Sequence, residues 1–343
     1  MNKKVLNIIR RLKLFMNKAN NSNDMNLYVQ VDNLASCLFH LGHMTIEEYN
    51  LISEEVNGYW QYEKIVNETT CRKIKELISH NQLLLKLYWE IYKQYEIQNI
   101  HYAEYTVDGK NINQAIQEFF SMLNCRQLYD VLQITGKIIR FDSSDSQSWC
   151  INDNGSSYLL LHNHPAEDSR YYTCLIHEMG HAYVNHILKS KSIYREDEIF
   201  SETIPFLFER LFHQFLYENN FITKDEYERM VLNFKANCKS KLKLGVMSFQ
   251  IIESGKYSLH GIKVIPESDW NSNNQFETIP TNIEIDCTPW LSLKWTDYII
   301  ADIASYKLFG EYQKDKNQFI SELPRLVKNL SNLNIDEMIE KYC

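Results

Sequence analysis

Residues 173–184 read Thr-Cys-Leu-Ile-His-Glu-Met-Gly-His-Ala-Tyr-Val, and within them His177, Glu178 and His181 have the types and spacing of a metal site. On a helix, side chains four apart lie on one face about one turn along. His177 and His181 can therefore offer two imidazoles to one ion. Glu178 sits beside them, within reach of a water that the ion activates. The implied chemistry is metal-assisted hydrolysis. The five-residue pattern alone is only suggestive, but Leu175, Ile176, Gly180, Ala182 and Val184 set it in an apolar run unlike a solvated helix. The competing reading is two core histidines satisfied by hydrogen bonds. Burying two histidines and a glutamate together without an ion would leave several polar groups to satisfy.

A catalytic zinc takes a third protein ligand and keeps one position open. The pattern that continues His-x-x-Gly-x-x-His needs Gly at 184 and His at 187; this chain has Val184 and Ile187, which excludes it. His186 is out of that register and is expected at the surface or behind a ligand. A carboxylate from a following helix is the other solution, with Glu196, Asp197, Glu198, Glu202 and Glu209 as candidates. Glu202 and Glu209 are seven apart, two turns along one face, with Phe206 between them. Pro205 suits the first turn of a helix opening near Ser201. Glu202 is the expected ligand, and Glu209 the group expected to orient a ligand histidine.

The elements that must position these residues are mostly helical. No proline precedes Pro165, and glycines are sparse before it. Thr45-Ile-Glu-Glu48 and Thr223-Lys-Asp-Glu226 read as capping boxes that open helices. Residues 112–133 carry apolar side chains at helical spacing, and helical character returns from about Trp290 to Tyr342. Residues 137–141 and 157–162 read as strands around a polar, Gly-containing stretch, which predicts a small antiparallel hairpin beside the histidine helix. Residues 245–288 are the least regular.

Composition sets the outer bounds. The 343 residues allow one large domain or two lobes, and 44% hydrophobic with 23% charged residues is ordinary for a globular protein. Aromatics reach 13%, either as packing between helices or as the lining of a cleft. A net charge of −8 argues against nucleic acid as a partner. Residues 1–20 are the basic exception: an amphipathic helix there would either dock on the body or touch an anionic membrane surface. No transmembrane segment and no secretory signal is read. The eight cysteines are scattered without a CxxC pair, which suits reduced thiols and a cytoplasmic location.

The order HEMGHAYVNHILKSKSIYREDEIFSETIPFLFE resembles the oligopeptidase F and thimet oligopeptidase type of M3 metallopeptidases, over about residues 105–310. The correspondence falls on His177, Glu178, Gly180, His181, Glu202 and Glu209. The resemblance implies a mostly α, zincin-type fold with a small antiparallel sheet beside the active-site helix and a substrate cleft. Its counterpart of the family's cleft-lining edge strand is residues 146–163. An abbreviated N-terminal helical region, 1–104, would precede a catalytic domain, 105–343. Departures are local. Val184 stands where the family often has a histidine. Leu291, Leu293 and Trp295 stand at its tyrosine positions, and no histidine precedes Pro289. Tyr298, Tyr257 or His260 could supply the oxyanion donor, or each could be structural.

The implied activity is a zinc-dependent endopeptidase acting on short peptides, with one Zn2+ per chain and Glu178 as general base. Three readings compete with it: a processing protease for one protein partner, a zinc-containing peptide-binding protein with weakened catalysis, and a structural protein with a chance motif. Missing family tyrosines favour the binder, whereas the intact Glu178 opposes it.

Overall fold

The computed structural model describes residues 44–57, 109–141, 148–153, 156–162, 169–189, 199–231 and 289–342, together with residues 10, 12–14, 31, 34, 35, 38 and 39. Among them run helices α1 (Ile46–Asn57), α2 (Gly109–Met122) and α3 (Arg126–Ile134), then strands β1 (Ile138–Phe141), β2 (Trp149–Asp153) and β3 (Ser156–His162). Helices α4 (Ser169–Leu188), α5 (Ile199–Glu218), α6 (Pro289–Lys314), α7 (Lys316–Leu330) and α8 (Ile335–Tyr342) follow, with a further helical stretch at 224–231. The fold is mostly helical with one small sheet, as the sequence predicts. The expected boundary between 1–104 and 105–343 lies outside the described residues, as does nearly all of the basic segment 1–20.

Both capping boxes form. Thr45 Oγ1 accepts from the Glu48 backbone N–H at 3.2 Å, and Glu48 Oε2 accepts from the Thr45 N–H at 2.8 Å. Thr223 and Glu226 repeat the exchange at 3.2 and 2.7 Å. The helical spacing over 112–133 is divided between two helices. Asn124 takes a left-handed φ of 56°, the Cys125 N–H donates to the Phe120 carbonyl, and α2 ends there. Asparagine tolerates that conformation, which apolar spacing cannot reveal.

The sheet is mixed, in the order β1-β3-β2, and this corrects the expected antiparallel hairpin. The two expected strands do pair, but in parallel, with Ile138 opposite Leu159 and Phe141 opposite His162. The antiparallel partner of β3 is β2, drawn from the stretch read as a polar connection. Asp153 pairs with Ser156, so only Asn154 and Gly155 join β2 to β3, and Asn-Gly is the preferred two-residue hairpin dipeptide. Leu159, Leu160 and Leu161 on β3 are all buried, so both faces of the central strand are covered. That accounts for an apolar run in place of alternation.

β3 and β2 pack on α4, α4 packs on α5, and α5 packs on α6. Phe119 of α2 anchors the core against Phe208, Phe212 and Phe215 of α5, with ring centroids 6.3, 5.1 and 5.7 Å away. These aromatics are core residues. No helix among the described residues is long and apolar enough to cross a membrane.

Candidate metal centre

The packed faces of α4 and α5 build the site, and their approach is set by small atoms. Gly180 of α4 lies against Pro205 of α5: a Cβ at Gly180 would stand 2.6 Å from the Pro205 Cα. Helix α5 opens at Ile199, two residues before the expected start at Ser201, so Pro205 lies inside the helix and not in its first turn. Proline there lacks the N–H that would bond the Ser201 carbonyl, and its ring offers a flat surface for the glycine. The bare backbone of Gly180 lets the two helices meet where their polar residues face one another.

At that approach His177, His181 and Glu202 bring one ligand atom each to within 4.8 Å of one another. Glu202 Oε2 is 3.2 Å from His177 Nε2 and 3.6 Å from His181 Nε2. A tetrahedral zinc about 2.0–2.2 Å from its ligands keeps them roughly 3.3–3.6 Å apart; both Glu202 separations are close to that, and the third pair lies within 4.8 Å, so the residues present fit such an ion. The imidazole rings stand 5.0 Å apart at 74°, so each can direct its Nε2 at a common point.

Glu209 lies behind this group. Its Oε1 is 2.6 Å from His177 Nδ1, which donates the hydrogen bond and leaves Nε2 facing Glu202. Burial alone would lower the pKa of His177, but hydrogen bonds and charge from Glu202 and Glu209 outweigh it and hold the pKa well above the usual value. A divalent cation bound there would displace that proton and answer the same two carboxylates.

Glu178 is buried, 5% exposed, on the helix that carries both histidines. Its charge reaches Cys150 on β2. Burial chiefly, then Glu178, raises the Cys150 thiol, while Ser157 and Asn185 hydrogen bonds partly oppose them. Glu178 therefore lies on the helix face that is within electrostatic reach of β2, which is one end of the described sheet. Tyr298 of α6 packs on Phe206 at 5.7 Å, and Phe206 packs on His177 at 5.5 Å. Of the three candidate donors, Tyr298 alone is described; Tyr257 and His260 lie outside the described residues, as do Glu196, Asp197 and Glu198. His186 is exposed in the last turn of α4, as expected of a surface residue.

Sequence reading missed the polar group that fixes α5 to α6. Arg210 Nη2 meets Asp302 Oδ1 at 2.8 Å, Arg210 Nε donates to Ser305 Oγ at 3.1 Å, and the guanidinium lies over Tyr306 at 5.4 Å. Asp302 is 1% exposed. Its signal was a single acid inside Tyr298-Ile-Ile-Ala-Asp-Ile-Ala-Ser305, where a buried charge demands a partner.

No family model and no curated protein matches the chain. Among solved structures it is similar to a proposed oligoendopeptidase F from Bacillus anthracis str. Ames, at 11% identity and a TM-score of 0.49, over 92% of this chain and 58% of that one. It is also similar to PZ peptidase A with an inhibitor, at 11% identity and a TM-score of 0.47, over 94% of this chain and 62% of that one. A proposed peptidase from Chlamydophila abortus follows at 12% identity and a TM-score of 0.46, over 92% and 59%. The chain thus spans about three fifths of the length of these proteins.

Proposed function

We propose that the chain is a zinc-dependent peptidase that hydrolyses peptide bonds, short peptides being its substrates. One observation carries the reading: His177 Nε2, His181 Nε2 and Glu202 Oε2 converge, with Glu209 behind His177. His177, His181 and Glu202 would hold the ion. The bound ion would supply Lewis-acid polarisation of the scissile carbonyl and an acidified water. Glu178 takes the proton of the attacking water on its carboxylate and hands it to the leaving amine. Glu209 keeps the Nδ1 proton of His177 in place, so that Nε2 stays available. The β2 edge offers backbone groups to an extended peptide beside Glu178. Tyr298 is the candidate oxyanion donor.

The test is metal analysis of purified wild type beside His181→Ala and Glu202→Ala, with a quenched-peptide library assayed on the same samples. One zinc per chain in wild type, lost from both variants along with cleavage, is the expected result. Zinc without cleavage would establish the peptide-binding reading in its place, and wild type without zinc would remove the proposal.

A further inference from the structure

Glu202, Phe206 and Arg210 stand four residues apart along α5, and Tyr298, Asp302 and Tyr306 four apart along α6. Residues so spaced share one face of a helix, and here the two faces meet. The Tyr298 ring packs on Phe206 with centroids 5.7 Å apart. Four residues further along both helices, Arg210 Nη2 donates to Asp302 Oδ1 at 2.8 Å. The two contacts are successive rungs of one ladder, about 6 Å apart along the axes. Its near end is the metal centre, because Phe206 also packs on His177.

The Arg210 rung is polar where its surroundings are not. Around it α6 buries Ile299, Ile300, Ile303 and Ala304, and apolar burial has no direction of its own. Arg210 is directional. Its Nε donates to Ser305 Oγ at 3.1 Å, and Ser305 Oγ donates in turn to the Asp302 carbonyl at 2.8 Å. Asp302 and Ser305 are both buried. Sliding α6 by one residue, about 1.5 Å, would pull both groups out of the guanidinium fork. A buried ion pair adds little stability over apolar residues of the same volume, and fixing a register is its best-attested use.

We infer that Arg210 is a positioning residue for Tyr298: held on Asp302 and Ser305, it sets the register of α6 on α5 that brings the Tyr298 ring over Phe206 beside the metal centre. The catalytic consequence rests on the proposed function, in which Tyr298 is the oxyanion donor. A misplacement of about 1 Å in such a group can cost roughly a hundredfold in rate.

The test uses the full chain labelled with fluorotyrosine, the Tyr298 fluorine resonance being the one absent from Tyr298→Phe. The double variant Arg210→Met, Asp302→Leu keeps apolar bulk and removes the directed bonds. In metal-free protein this variant should shift or broaden the Tyr298 resonance. In zinc-loaded protein kcat on quenched peptides should fall roughly 10–100-fold, with zinc content and KM unchanged. Adding Tyr298→Phe to the double variant should then lower kcat by less than about twofold, because the two changes remove one effect. Arg210→Lys, which keeps the charge but not the fork, should shift the same resonance by less, and it serves if the double variant does not fold. An unmoved Tyr298 resonance would overturn the inference whether or not the protein cleaves peptides. So would a Tyr298→Phe loss as large in the double variant as in wild type. A shifted resonance with no cleavage by wild type would count for the positioning and against the proposed function.

Discussion

Gly180 and Pro205 touch backbone to backbone: the space where a Gly180 side chain would begin lies 2.6 Å from the Pro205 Cα and 3.0 Å from its N. Glu202 is three residues before Pro205 and His181 one residue after Gly180, so this contact sets the spacing of the ligand atoms. Gly180→Ala cannot be accommodated by rotating a flexible side chain, because the atoms it meets are backbone. The helices must separate by several tenths of an ångström. Zinc affinity is expected to fall at least tenfold, with a loss of about 1–3 kcal/mol in stability from overpacking. Chelator competition and urea unfolding would measure both. Wild-type affinity in this variant would show that the contact does not position Glu202.

The role proposed for Glu209 runs through His177, whose Nδ1 lies 2.6 Å from its Oε1. Replacing its carboxylate with an amide, Glu209→Gln, retains an acceptor near Nδ1 but removes the charge that raises the basicity of the ring. Zinc affinity is expected to fall roughly 10–100-fold, the usual cost of losing such a partner. The proton inventory should change too. Because Glu202 and Glu209 raise the pKa of His177, metal uptake by wild type should release a proton from its ring, and calorimetry in buffers of different ionisation enthalpy should detect less release in Glu209→Gln. Equal release in the two proteins would refute the role given to Glu209.

Arg210 and Asp302 test a different link, the docking of α5 on α6. Asp302→Ala leaves a guanidinium, 11% exposed, beside Tyr306 without its carboxylate. Removing one partner of a buried pair costs about 3–5 kcal/mol, whereas replacing both by apolar residues costs much less. Asp302→Ala should thus unfold at clearly lower urea than the double variant Arg210→Met, Asp302→Leu. A double variant as unstable as the single would contradict this.

The legibility of the sequence was uneven for physical reasons. His177, Glu178 and His181 lie within one helical turn, so their geometry follows from the helix alone. Glu202 and Glu209 were readable because both ends of their spacing fall on one later helix. The parallel pairing of β1 with β3 was not readable, because strand direction depends on the third strand inserted between them in sequence. Asn154-Gly155 was the available signal for that strand. The Arg210–Asp302 pair joins residues 92 apart, and no local pattern specifies which distant charge meets another.

His213 gives a pH dependence of defined sign. Burial first, with Arg210 adding and Glu209 opposing, lowers its pKa from 6.5 to about 4. Between those values the unfolded chain binds a proton that the folded chain refuses. This contribution is therefore complete above pH 6.5 and is lost as pH falls toward 4. In metal-free protein, His213→Phe should lose less stability than wild type between pH 7 and 4.5. His177, whose raised pKa acts in the opposite direction, is common to both chains and drops out of the difference. Parallel urea curves at each pH would check it, and an equal acid loss in the two proteins would contradict the assignment.

Glu178 separates holding a metal from using it. Its carboxylate is buried on α4, one residue from His177, and is not among the three residues whose ligand atoms converge. Glu178→Gln preserves volume and hydrogen-bonding capacity but cannot take a proton, so zinc content should remain one per chain. Cleavage should fall by roughly 10²–10⁴, the range assigned to a positioned general base. The fall should appear in kcat with little change in KM, because the peptide binding proposed at the β2 edge would use backbone groups and not this carboxylate. A variant that lost its zinc would make Glu178 part of the metal's support. A variant that kept zinc and full turnover would transfer the base to another residue, and Glu178 would then be a structural acid held beside Cys150.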